Sequence, residues 1–128
     1  MASWADVRRM ALALPETTEV VSRGNRQWRV KGKNFVWERP LRPSDLAALG
    51  AGAPKGEILG VRVEHLGVKE ALLAEDPDVC FTTPHFDGYP AVLVRLGRLG
   101  RRELGELVRD AWLARAPKRL ADEYLDPR

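Results

Sequence analysis

Cys80, His85 and Asp87 are the one place in this chain where nucleophile and ligand types gather. A thiolate beside an imidazole would suit acyl transfer, and the three together would suit a metal. Neither chemistry is well served by the spacing. A zinc site wants further Cys or His ligands at defined intervals, and the other histidine, His65, stands alone at a strand end. Cys80 lies in the apolar run Val79-Cys80-Phe81, which predicts a buried thiol and a poor nucleophile. His85 and Tyr89 read instead as tip residues of a turn, either packing groups or polar contacts to a ligand in a cleft. The acids Glu70, Glu75, Asp76 and Asp78 run along a helix end without a partner group, so no acid and base pair emerges. GAGAPKG at 50–56 lacks the strand, helix and terminal Lys-Ser/Thr of a phosphate-binding loop. The expectation is a non-enzymatic protein with no metal and no cofactor.

Binding chemistry has better material. In RQWRVKGKNFVWER, residues 26–39, two runs of alternating apolar residues flank a Lys31-Gly32-Lys33-Asn34 corner, the pattern of a β-hairpin. Arg29, Lys31 and Lys33 can meet phosphates at such a tip, and Asn34 can reach a base edge or a sugar. The same residues also suit a solvated turn. Arg23-Gly24-Asn25-Arg26 adds a second turn signal between two arginines, able to clamp an anion or merely to solubilise. If neighbouring strands align, Arg23, Arg26, Arg29, Lys31, Lys33 and Asn34 form one patch. Trp28, Phe35 and Trp37 sit at strand spacing and are expected in the core rather than as stacking platforms.

The charge distribution is consistent with a basic face. Net charge is +3, but residues 1–42 carry nine Lys or Arg against four acids, 43–87 carry three against eight, and 88–128 carry nine against six. Arg supplies 16 of the 21 basic residues, a bias that GC-rich coding produces as readily as phosphate recognition.

The elements that must position these residues follow from periodicity. Ser3 and Asp6 are in capping-box spacing, and Val7, Met10, Ala11 and Leu14 then recur at helical intervals, predicting a helix from about Trp4 to Leu14 that Pro15 stops. Thr17–Arg23 is a short β-branched strand leading into the hairpin, so three strands form a meander. Ser44 and Asp45 are placed to cap a helical turn through Leu49. Ile58–Glu64 alternates as a strand, and Val68–Ala74 reads as a short helix closed by Asp76-Pro77. Val79–Thr83 and Ala91–Leu96 are expected to pair through a reversing turn at Asp87-Gly88. A long amphipathic helix from about Arg101 to Tyr124 closes the chain, split by Pro117. This order predicts an α+β fold with a largely antiparallel sheet of about five to six strands, an N-terminal helix, short intervening helices and a long C-terminal helix packed on it.

Length bounds the rest. At 128 residues the chain fits one domain able to bury a real core, and its 45% hydrophobic content supports that. One cysteine excludes an intramolecular disulfide framework, no charged n-region with an apolar h-region opens the chain, and no apolar run approaches the roughly 20 residues of a membrane span. A soluble cytoplasmic protein is expected.

Four stretches together resemble the MmcQ/YjbR family: LPETTE at 14–19, WRVKGKNFVW at 28–37, TTPHFDGYPAVLVRL at 82–96 and DAWLARAPKRLADEYL at 110–125. The resemblance covers nearly the whole chain, and its elements fall in the same order. It implies a compact domain with an antiparallel sheet and flanking helices, often described as DNA-binding because it is similar to the double-wing domain of a phage transcription activator. The Gly32-Lys33 pair carries over from the family's hairpin, whereas Trp28 and Trp37 make this hairpin longer and more aromatic than in shorter members. Double-stranded DNA is therefore the expected partner, with a small ligand or a protein near His85 and Tyr89 as the alternative.

Overall fold

Ser3 and Asp6 close the first helix reciprocally: the Asp6 N–H donates to Ser3 Oγ at 3.3 Å and the Ser3 N–H donates to Asp6 Oδ2 at 3.0 Å. Helix α1, Trp4–Leu12, then lays Val7 and Ala11 on the core. The computed structural model describes residues 1–127, and its order after α1 is β1 (Thr17–Ser22), β2 (Asn25–Val30), β3 (Lys33–Glu38), α2 (Pro43–Leu49), β4 (Ile58–Arg62), α3 (Leu66–Glu75), β5 (Cys80–Phe81), β6 (Ala91–Arg95), α4 (Arg101–Arg115) and α5 (Lys118–Leu125). The strands form one antiparallel sheet in the order β1-β2-β3-β4-β6-β5. The predicted fold class is therefore the observed one.

Two tight hairpins build the first half of the sheet. Their loops are Arg23-Gly24 and Lys31-Gly32, with all four residues at positive φ, the requirement of the turn whose twist matches that of paired strands. Each turn thus sits one residue earlier than the Gly24-Asn25 and Lys31–Asn34 signals suggest, because glycine takes the second loop position. Between β2 and β3 the register slips: Trp28 pairs with Val36, but Arg29 pairs with Asn34. Phe35 is the extra residue of a β-bulge, and both Phe35 and Val36 are consequently buried beside Trp28.

The main core lies between the sheet and the helices. Trp28, Val30, Phe35, Leu59, Val61, Val92 and Val94 pack against Leu104, Val108, Ala111 and Trp112 of α4. Both buried indoles find acceptors, Trp28 Nε1 at Glu19 Oε1 (2.9 Å) and Trp112 Nε1 at the Pro15 carbonyl (3.1 Å). Ile58, Phe86, Ala91 and Leu93 form a second, smaller cluster with Trp37, Leu41 and Phe81. With apolar groups on both faces, β4 and β6 are buried along most of their length, as central strands must be.

Three local expectations change. Arg42, not Ser44, stands at the N-cap of α2, its N–H donating to Asp45 Oδ2 at 2.8 Å, because Pro43 takes the first helical position. His65 is not a bare strand end: Nδ1 accepts from the Gly67 N–H at 3.1 Å and caps α3. The connection from β5 to β6 is not a tight turn at Asp87-Gly88 but a loop through residues 82–90 containing a 3-10 turn, Pro84–Phe86. Phe86 is buried there, so side-chain packing outweighs the local turn signal.

Candidate nucleic-acid interface

The bulge in β3 decides what faces away from the helices. Asn34 comes opposite Arg29, and the Arg29 guanidinium donates from Nε to Asn34 Oδ1 at 2.6 Å and from Nη2 to Gln27 Oε1 at 2.8 Å. Trp37 follows on the same face, its indole lying over Gly60. A Cβ at Gly60 would stand 2.2 Å from Trp37 Cε2, so β4 leaves the gap that the ring fills. Expected in the core, Trp37 is half-buried and turned to this second face.

The 82–90 loop folds over from the other side and is fastened by buried charge. Lys69 of α3, 6% exposed, donates from Nζ to the carbonyls of Phe86 (2.5 Å) and Tyr89 (2.9 Å). Burial draws its pKa below that of a free amine, with Asp87 opposing. Arg39 stacks its guanidinium 5.3 Å from the Phe86 ring and pairs at 2.9 Å with Asp45, both groups nearly inaccessible. Burial raises the Asp45 carboxyl, but the Arg42 N–H and Arg39 together outweigh it and hold the pKa below the usual carboxylate range.

Hairpin turn and loop thereby enclose a cleft of about 660 Å³. Trp37 and Phe86 line it, and Arg29, Lys33, Arg115 and His85 are set against a single carboxylate, that of Asp87. A neighbouring hollow of about 330 Å³ shares Asn34, Trp37, His85 and Phe86 with it and adds Arg23, Arg39 and Arg42 against one acid, Glu38. The two make one trough with a basic lining.

The sequence-predicted residues divide accordingly. Arg29, Lys33, Asn34, His85 and Tyr89 meet in the main cleft, and Arg23 reaches the neighbouring hollow. Arg26 falls on the helix-covered face with Trp28, its ring partner at 5.6 Å, and Glu38 takes its Nε and Nη2 at 3.0 and 2.9 Å. Lys31 is drawn off by Glu16. Lys33 makes no ion pair among the described residues. The patch expected from the sequence contains neither Arg62, Lys69 nor Arg115. Lys69, flanked by Val68 and by Ala71-Leu72-Leu73 within α3, is the available signal.

The family model described as YjbR matches residues 12–114. The chain belongs to the YjbR family. Two YjbR relatives, uncharacterized proteins of Mycobacterium bovis and Mycobacterium tuberculosis, are each 53% identical over 98% of this chain and 97% of their own. The crystal structure of Deinococcus radiodurans protein DR2400, with family-model domain DUF419, superposes with a TM-score of 0.66 at 21% identity, covering 88% of this chain and 78% of that one, a likeness of fold. Within this YjbR chain Cys80 is buried, and burial followed by the Asp76 charge pushes its thiol up to about 11, far from a thiolate at neutral pH. Among the described residues there is no group of three His, Cys, Asp or Glu able to hold a metal, and no helix is long and apolar enough to cross a membrane.

Proposed function

We propose that this YjbR protein is a non-enzymatic, cytoplasmic DNA-binding domain that takes the phosphate backbone in the trough between the Gly32–Asn34 turn and the His85–Tyr89 loop. The observation that carries the reading is the meeting of turn and loop on one concave surface, where cations outnumber carboxylates. Lys33, exposed and without an ion pair, is the first phosphate contact. Arg29 is held in place by Gln27 and Asn34, and the Asn34 amide, having accepted from Arg29 through its oxygen, keeps its N–H groups for a sugar or base edge.

Anisotropy titration with a short duplex over a range of salt concentrations tests this. Affinity is expected to fall steeply with salt, and Lys33→Glu to lower the logarithmic slope by about one phosphate contact. Lys31→Glu should do less, because Glu16 already occupies that ammonium. Binding that ignores both salt and Lys33→Glu would refute the proposal. A second reading is favoured by the concavity itself: a cleft of about 660 Å³ with Trp37 and Phe86 in its lining also fits a small planar ligand, with His85 and Tyr89 as its polar contacts. Competition between a nucleotide and the duplex separates the two.

A further inference from the structure

Arg62, at the end of β4, and Arg115, at the end of α4, converge on Tyr89. The Arg62 guanidinium lies 4.7 Å from the Tyr89 ring centroid and donates from Nη1 to the phenol oxygen at 2.8 Å. Arg115 lines the cleft together with Tyr89, Lys33 and the Asp87 carboxylate, whereas Arg62 lines an adjoining hollow with Glu64 and Asp110 and meets the cleft through Tyr89. Both arginines are half-buried, and the Nε of each is buried without a hydrogen-bond partner. Arg26 and Arg39, by contrast, have acids, Glu38 and Asp45; Arg95 at the end of β6 shares the orphaned Nε but lines neither hollow of the trough. Among the described residues no carboxylate comes within ion-pair distance of Arg62, Arg115 or Lys33. Burial lowers the pKa of Arg115 and the Arg62 charge lowers it further, with Tyr89 opposing, so the two guanidiniums repel each other across the phenol.

What such a cluster lacks is a compact anion with several oxygens. Guanidinium groups present paired N–H donors that match phosphate oxygens, and the Tyr89 hydroxyl, once it has accepted from Arg62, still has its own hydrogen to donate. An internal phosphodiester brings one negative charge. A phosphate monoester brings nearly two, the better complement to two guanidiniums and an ammonium.

We propose that Arg62, Arg115, Tyr89 and Lys33 form a site for a terminal phosphate, a monoester dianion, at the end of the cleft. The inference rests on the reading of that cleft as a phosphate-binding surface and narrows it: the group bound most tightly is an end and not an internal linkage. A strand's 5′-phosphate and a free nucleoside monophosphate both supply this chemistry.

The experiment compares oligonucleotides that differ only in a 5′-phosphate, by anisotropy, and titrates inorganic phosphate and a nucleoside monophosphate by calorimetry. The phosphorylated strand is expected to bind about tenfold tighter than its hydroxyl-ended twin. That ratio should shrink toward one in Arg115→Gln and in Arg62→Gln. Tyr89→Phe, on an exposed residue that removes one hydroxyl and little packing, should shrink it in part and guards against a folding artefact. Equal, salt-sensitive affinity for both strands overturns the terminal-phosphate site and leaves the wider DNA reading standing. If neither strand binds but the monophosphate saturates a site lost in Arg115→Gln, the DNA reading falls and this site stands with a nucleotide as its occupant. Failure of every probe overturns both.

Discussion

The two faces of the β2–β3 hairpin are built on different chemistry. Toward the helices, Trp28, Val30, Phe35 and Val36 are fully buried, and the cation on that side, Arg26, is matched by Glu38. Toward the trough, the apolar cluster is small, and the structure is held by buried polar anchors, Lys69 on two carbonyls and Arg39 on Asp45. Here the cations Lys33, Arg62 and Arg115 have no acid. Arg26 and Arg39, which hold the fold, have acids, and Lys69 holds it through carbonyls; the unmatched cations around the cleft are the ones a ligand can neutralise. Counting basic residues along the chain does not reveal this. Their partners do.

The comparison breaks first if both faces tolerate truncation equally. Trp28→Ala removes a fully buried ring that also donates to Glu19, and about 3–5 kcal/mol of stability should go with it in urea denaturation. On the trough side, Asp45→Ala strips the partner from the buried Arg39 guanidinium. Leaving that charge unpaired should cost about 3 kcal/mol, with the 82–90 loop losing hydrogen-exchange protection because Arg39 stacks on Phe86. A loss of stability without a change in that loop would show the anchor to be less local than the geometry indicates.

Gly60→Ala is the sharper probe, since it changes one methyl and touches only the trough. The added Cβ would stand 2.2 Å from Cε2 of the Trp37 indole, so the ring must leave the cleft floor, at about 1–3 kcal/mol of overpacking strain. Trp37 fluorescence should move as the ring becomes wetter, and Lys33-dependent DNA binding should weaken with it. Unchanged binding would remove Trp37 from the interface.

How far the sequence shows all this depends on the range of the force involved. The Ser3-Asp6 capping box, the break at Pro117 and the succession of helices and antiparallel strands along the chain are local or periodic features, and residues 1–127 follow them closely. The β-bulge is different. One inserted residue at Phe35 reverses the face of everything before it in β3, which placed Asn34 opposite Arg29 and separated Phe35 from Trp37. Alternation counted from the sequence assigns both aromatics to one face. The pairing of Lys31 with Glu16, Arg26 with Glu38, and Lys69 with Phe86 and Tyr89 spans strands and loops that only the folded sheet brings together. The six predicted basic-patch residues were thus readable as types, but which of them remained available was not.

The smallest effect expected lies in acid, on the helix side. Asp6 sits in the α1 capping box with its carboxyl held by Arg9 above all, against some desolvation, with Ser3 and Arg101 adding to the pull; its pKa drops from an ordinary 3.8 to about 2. A carboxyl whose folded pKa is depressed contributes stability that is present above the unfolded value and lost as protons are bound. That contribution should therefore be complete above pH 3.8 and should fade between there and pH 2. Asp6→Asn should flatten this part of the stability profile, keeping the amide able to accept from the Ser3 N–H but not to attract Arg9 or Arg101 as a charge. Because Asp6 packs with the helices and lines neither hollow of the trough, phosphate binding measured at neutral pH should be the same in Asp6→Asn as in the parent. A loss of binding there would mean that the helix-covered face and the trough are coupled, and that separating the two by the partners of their charges is incomplete.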